Sequence, residues 1–118
     1  MTTATTTDRM SVLARIDVLA ATLRDLAALA RDGYGVARLT ADIVELAFPN
    51  CPAGLVHFAI RYTDRVRAAT ELQAAYGGVQ GRGDITRLAR EAAQFAERES
   101  TIAGEHFKSA MQAHYTTT

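Results

Sequence analysis

Tryptophan is absent from this 118-residue chain, lysine and cysteine occur once each, and proline occurs twice. With aromatic residues at 7% of the composition, a core built on large rings is excluded, so the interior has to come from close packing of small side chains. One cysteine cannot form an internal disulfide, which suits a reducing compartment. Acidic and basic residues are equal in number, so no global field draws the chain to nucleic acid or anionic lipid. No apolar run reaches the roughly 18 residues that a membrane span needs. The N-terminus lacks a charged segment followed by an apolar one, and a cytoplasmic protein is therefore expected.

What is present is helical periodicity. A single domain over 1–118 is expected, with 1–7 and 116–118 polar, low in complexity and disordered. Asp8 or Ser11 is placed to cap a first helix, whose apolar residues Val12, Ile16, Leu19, Leu23, Leu26 and Ala30 step by four and three. Leu13, Ala20 and Ala27 widen that stripe, while Arg15, Asp17, Arg24, Asp25 and Arg31 lie mostly off it. Gly33 and Gly35 are expected to end this helix. Thr40 then precedes a second, two-turn helix that stops at Pro49-Asn50-Cys51-Pro52. A third helix is predicted over about 52–76, burying Leu55, Phe58, Ala59, Tyr62, Val66, Ala69, Leu72 and Tyr76. The glycine-rich stretch 77–83 breaks the chain again.

The last helix, Asp84 to Tyr115, is the longest uninterrupted pattern and the expected organising element. At 1.5 Å per residue it spans roughly 45–48 Å, whereas a compact sphere of this length would be about 35 Å across. Its seam runs Ile85, Leu88, Ala92, Phe95, Glu99, Ile102 and His106, expected to pack inside the bundle as far as Ile102. Beyond Gly104, a plausible bend, the apolar face turns toward Phe107, Ala110, Met111 and His114, as if facing a second neighbour. The fold class is thus all-α: an antiparallel bundle of three long helices and one short one.

Candidate chemistry is sparse. Glu99 and His106, two turns apart on one seam, have the residue types of a buried metal or proton site. The Glu-x-x-His pairs of a carboxylate-bridged bundle and the His-Glu-x-x-His signature are both missing, so no metal and no cofactor is assigned. Cys51, His57 and Asp64 have the residue types of a thiol triad, with Cys51 at a helix N-terminus, but His57 lies nearly two turns on. No catalytic residue is assigned. The loop 77–83, near Arg82, Arg87 and Arg90, follows a helix where a phosphate loop follows a strand.

Gly33-Tyr34, the run Asp42 to Ala47, the elbow, and Leu55-Val56-His57-Phe58 together resemble the helix-turn-helix of tetracycline-repressor-type regulators, over about a third of the chain. The resemblance implies DNA recognition through a third helix. That helix, however, opens Pro52-Ala53-Gly54-Leu55-Val56, without the polar or basic side chains that reach base edges. Arg61, Arg65, Arg67, Arg82 and Arg87 are the residues available for a phosphate backbone. The leading expectation is a small non-enzymatic module for protein–protein contact, self-associating or a subunit of an assembly. Its expected interface is Ile102, His106, Phe107, Ala110, Met111 and Tyr115, in the C-terminal half of the last helix. A nucleic-acid-binding regulator using residues 40–67 is the alternative.

Overall fold

A computed structural model describes residues 2–30 and 33–116. Among the described residues there are four helices: α1 (Thr2–Leu29), α2 (Gly33–Ala47), α3 (Ala53–Gly78) and α4 (Asp84–Thr116). The short links between them make sequence neighbours antiparallel. The helical bundle expected from periodicity is what forms, and none of these helices is long and apolar enough to cross a membrane.

Two boundaries differ from the sequence reading. α1 is helical from Thr2, so 2–7 carry helical backbone and Asp8 and Ser11 lie inside the helix, not at its cap. Once a helix is nucleated, each added residue costs little, and threonine and alanine continue it. At the other end Thr116, also expected to be disordered, is the last residue of α4, while Met1, Thr117 and Thr118, and Arg31 between α1 and α2, lie outside the described residues. The second difference is α2, which is 15 residues long and starts at Gly33, not at Thr40. Thr40 is fully buried in its middle, where its hydroxyl lies 2.7 Å from the Val36 carbonyl and 3.1 Å from the Thr63 hydroxyl of α3. Thr63 Oγ1 is also 3.0 Å from the Ile60 carbonyl, so two hydroxyl protons serve three contacts across the α2–α3 boundary.

The core forms where the α1 and α3 stripes predict it. Ile16, Leu19, Ala20, Leu23 and Ala27 of α1 meet Leu55, Ala59, Tyr62 and Val66 of α3, joined by Val44, Phe48, Phe107 and Met111. The bundle is organised on α1 and α3 and not on α4: each of the two touches every other helix, α3 most extensively, whereas α2 and α4 make no backbone approach among the described residues. The molecule is elongated, 63 × 25 × 19 Å. Much of its length comes from the α3–α4 hairpin, and the first turns of α1 extend the other end. The last turn of α1, at Arg24 and Ala28, reaches the level of Gln73 and Glu97, and beyond it the two helices run on alone.

The hairpin tip is a tight turn and not a phosphate cradle. Gly81 and Gly83 take positive φ angles of 80° and 61°, which other residues adopt at a cost. The Arg82 amide donates to Thr86 Oγ1 at 2.8 Å, and the Thr86 hydroxyl donates to the Val79 carbonyl.

Candidate interaction surface

α4 carries two parallel stripes, and the bundle uses the less conspicuous one. The buried stripe is Ala93, Ala96, Ser100, Ala103, Gly104, Phe107 and Met111. Small residues there let α3 and α4 approach closely. At Gly104 the approach is so close that a Cβ would stand 2.8 Å from Tyr62 Cε1, inside any real carbon contact. The helix continues through this glycine to Thr116.

The seam predicted to pack inside the bundle therefore faces solvent. Ile85, Leu88, Phe95 and Ile102 are 54%, 56%, 58% and 44% exposed, with Ala92 and Glu99 half-buried between them. Positions 85, 88, 92, 95, 99 and 102 alternate steps of three and four, which at 100° per residue is one continuous flank of the helix. The residues of α4 facing α1, such as Glu97, Thr101 and Lys108, lie on the other flank. His106 is exposed at the end of the seam, so Glu99 and His106 form no buried pair.

The expected interface in the C-terminal half of α4 is corrected by the same rotation. Phe107 and Met111 are 0% exposed and belong to the molecule's own core. Ala110 and Tyr115 are half-buried and pack against that core. Tyr115 stacks obliquely on Phe48 at 4.6 Å between ring centroids, and its hydroxyl is hydrogen-bonded with Cys51. Arg15 covers the same Phe48 ring, 4.4 Å from its centroid, and donates to the Ala47 carbonyl. These contacts clasp the end of α4 to the α2–α3 elbow. Of the six residues assigned to the interface, only Ile102 and His106 are exposed. The reason is shape: the large side chains near the C-terminus fill the wide end of the bundle, where α1, α3 and α4 all meet.

Cys51 is half-buried, and burial pushes its thiol above the ordinary value; the Tyr115 hydrogen bond lowers it and Glu45 raises it further. His57 and Asp64 line a separate recess between α2 and α3, so the three residues do not form a triad. Tyr115 is raised to about 12, chiefly by burial and then by Cys51.

The arginines do not converge on one basic face. Arg67 packs its guanidinium against Gly33 and pairs with Glu71 at 2.7 Å, and Arg87 pairs with Glu91 at 3.3 Å and Asp84 at 3.9 Å. Arg61 lines the same recess as Arg67, beside Asp64, Arg65 is exposed further round α3, and Arg82 is in the hairpin turn, about 25 Å along the helix from Arg61. In the resemblance to a helix-turn-helix, α3 would be the recognition helix, but Leu55 in its first turn is buried.

Two further concave surfaces exist. A groove of about 560 Å³ where α1, α3 and α4 diverge is lined by Tyr62, Ser100 and Gly104 and by Arg24, Lys108, Glu97 and Glu105, charges of both signs. Burial raises the Tyr62 hydroxyl pKa there, Arg24 lowers it and Asp25 raises it. A second, more apolar groove of about 510 Å³ lies between α1 and α2, with Val18 and Leu46 on its walls. Both leucine and valine are mostly exposed. No family model, curated protein or solved structure matches the chain.

Proposed function

We propose that this chain is a small non-enzymatic helical module for protein–protein contact, self-associating or built into a larger assembly, and that it works through the outer seam of α4. The observation that carries this reading is the exposure of Ile85, Leu88, Phe95 and Ile102 in heptad register along one flank. Singly exposed apolar residues need no explanation, but an apolar stripe broken only by Glu99, beside a packed helix face, is the pattern that a partner helix covers. The stripe replaces the interface first expected beyond Gly104, because that part of α4 is used to close the bundle.

Site-specific photo-crosslinking in cells tests this. A benzoylphenylalanine replacing Phe95 should give discrete protein adducts, and the same probe replacing Ala21, exposed on α1 across the bundle from the seam, should not. No adduct from position 95, or equal adducts from both, would defeat the reading. The nucleic-acid reading has less support, since its arginines are dispersed and partly paired. A titration with random duplex at low salt, where phosphate contacts are strongest, bears on it directly.

A further inference from the structure

The occupant of the α4 seam can be specified further, and this step rests on the interaction-module reading above. The geometry points to a second copy of this chain, with the two α4 seams paired antiparallel about a two-fold axis lying between Ala92 and Phe95.

Three observations on α4 converge on that arrangement. The first is the symmetry of the seam itself. Read from either end, 85, 88, 92, 95, 99 and 102 give the same spacing, so reversing the helix superimposes the pattern on itself. Antiparallel pairing then sets Ile85 against Ile102 of the other copy, Leu88 against Glu99, and the large Phe95 against the small Ala92, in alternating layers. The second is the polar residue in the seam. A parallel pair would bring Glu99 against its own counterpart in the core, two like charges in a desolvated place, and His106 against His106. Reversal moves the two Glu99 side chains about 16 Å apart along the pair.

Charge at the edge of the seam is the third. One edge is lined by Ala89, Ala96 and Ala103, turned toward α3. The other carries Glu91, Arg98 and Glu105, all exposed. In the antiparallel register Glu91 of each copy falls beside Arg98 of the other, giving two cross-chain pairs. Asp84 and Glu105 also approach at the ends; Asp84 and Glu91 are both exposed and near Arg87, so water screens attraction and repulsion alike, and these charges set register more than affinity. A parallel pair would set these charges beside alanines and gain nothing from them.

The overall shape permits it. The seam covers the narrow hairpin and the first turns of the body, on the flank of α4 away from α1. Antiparallel pairing therefore places the two bodies at opposite ends of the dimer.

The test uses the full chain in two measurements. Light scattering of the unaltered protein at high concentration should report a dimer. In a Cys51→Ala background, Ile85→Cys and Ile102→Cys are then oxidised each alone and as an equimolar mixture. Both positions are exposed, so the fold survives the changes, and circular dichroism checks it. The mixture should give a disulfide-linked heterodimer, whereas Ile102→Cys alone should not, since its two copies lie about 25 Å apart. Arg98→Glu should weaken the dimer several-fold, and adding Glu91→Arg should restore it. A dimer in which Ile102→Cys links to itself overturns the antiparallel arrangement and leaves the module reading standing. A monomer at every concentration overturns self-pairing; adducts at position 95 would then show that another protein occupies the seam, and their absence that neither reading holds.

Discussion

At the scale of single residues, Gly104 and Tyr115 carry the sharpest consequences. An alanine at position 104 would gain roughly 1 kcal/mol in helix propensity. The same Cβ, however, would meet the Tyr62 ring at 2.8 Å, and overpacking a closed contact costs about 1–3 kcal/mol. Gly104→Ala should therefore destabilise the protein in urea unfolding, and Tyr62→Ala should abolish most of the difference between alanine and glycine. Equal stability of the two single-site forms would show that α3 and α4 are less tightly apposed than described. Tyr115 gives a pH signature. Its folded pKa of about 12 lies above the ordinary tyrosine value of about 10, so the neutral hydroxyl is the form that folding favours. Its contribution is fully present below pH 10 and is lost as pH rises toward 12. Ultraviolet titration should show late tyrosine ionisation that loses one component in Tyr115→Phe, whose stability should fall less steeply over that window. Cys51, raised by burial in the same clasp, should alkylate slowly near neutral pH.

At the scale of helices, the question is which face of α4 points inward, and truncation answers it. Phe107→Ala removes a ring that is 0% exposed and should cost about 3–5 kcal/mol. Phe95→Ala removes the same ring from a position that is 58% exposed, and should stay within about 0.5 kcal/mol when measured in dilute, monomeric solution. Comparable losses at both sites would mean that the outer seam is packed after all. The contrast also shows where sequence reading succeeds and where it stops. On α1 and α3 the largest apolar residues mark the buried stripe, so Ile16, Leu23, Leu55, Tyr62 and Val66 were all legible from spacing. On α4 the same rule selects Ile85, Leu88 and Phe95, because it weighs size alone. The true contact is made by Ala93, Ala96, Ser100 and Gly104, which permit close approach and are inconspicuous in a hydropathy pattern. Gly33 is ambiguous for a related reason: by sequence a glycine beside the break marks the end of one helix, whereas here it begins the next. The exposed seam was thus visible as a pattern from the start, but only the bundle's geometry shows that it faces outward.

At the scale of the whole molecule, 63 Å of length against 25 Å of width implies unequal stability along it. The body draws on three or four helices and holds nearly all the fully buried large side chains. Past Gln73 on α3 and before Glu97 on α4 the two helices have only each other, joined through half-buried Tyr76, Val79, Thr86 and Ala89 and the alanines at 93 and 96. Little apolar area is buried there, so that part of the hairpin should open at a lower free energy than the body. Amide exchange should be faster over 74–92 than over 55–69 and 100–111, through an opening that leaves the core closed. Self-pairing adds a second signature, because a partner that binds only the ordered hairpin stabilises it in proportion to its concentration, by about 1.4 kcal/mol for each tenfold rise above the dissociation constant. Protection over 84–96 should then climb with protein concentration while that of 55–69 stays level. In Ile85→Lys or Phe95→Lys, which place a charge on the seam without entering the core, the hairpin should exchange at the dilute-solution rate at any concentration. Uniform exchange along α3 and α4 would remove the mechanical distinction between hairpin and body. Concentration-dependent protection that survives those lysines would move the contact away from the α4 seam.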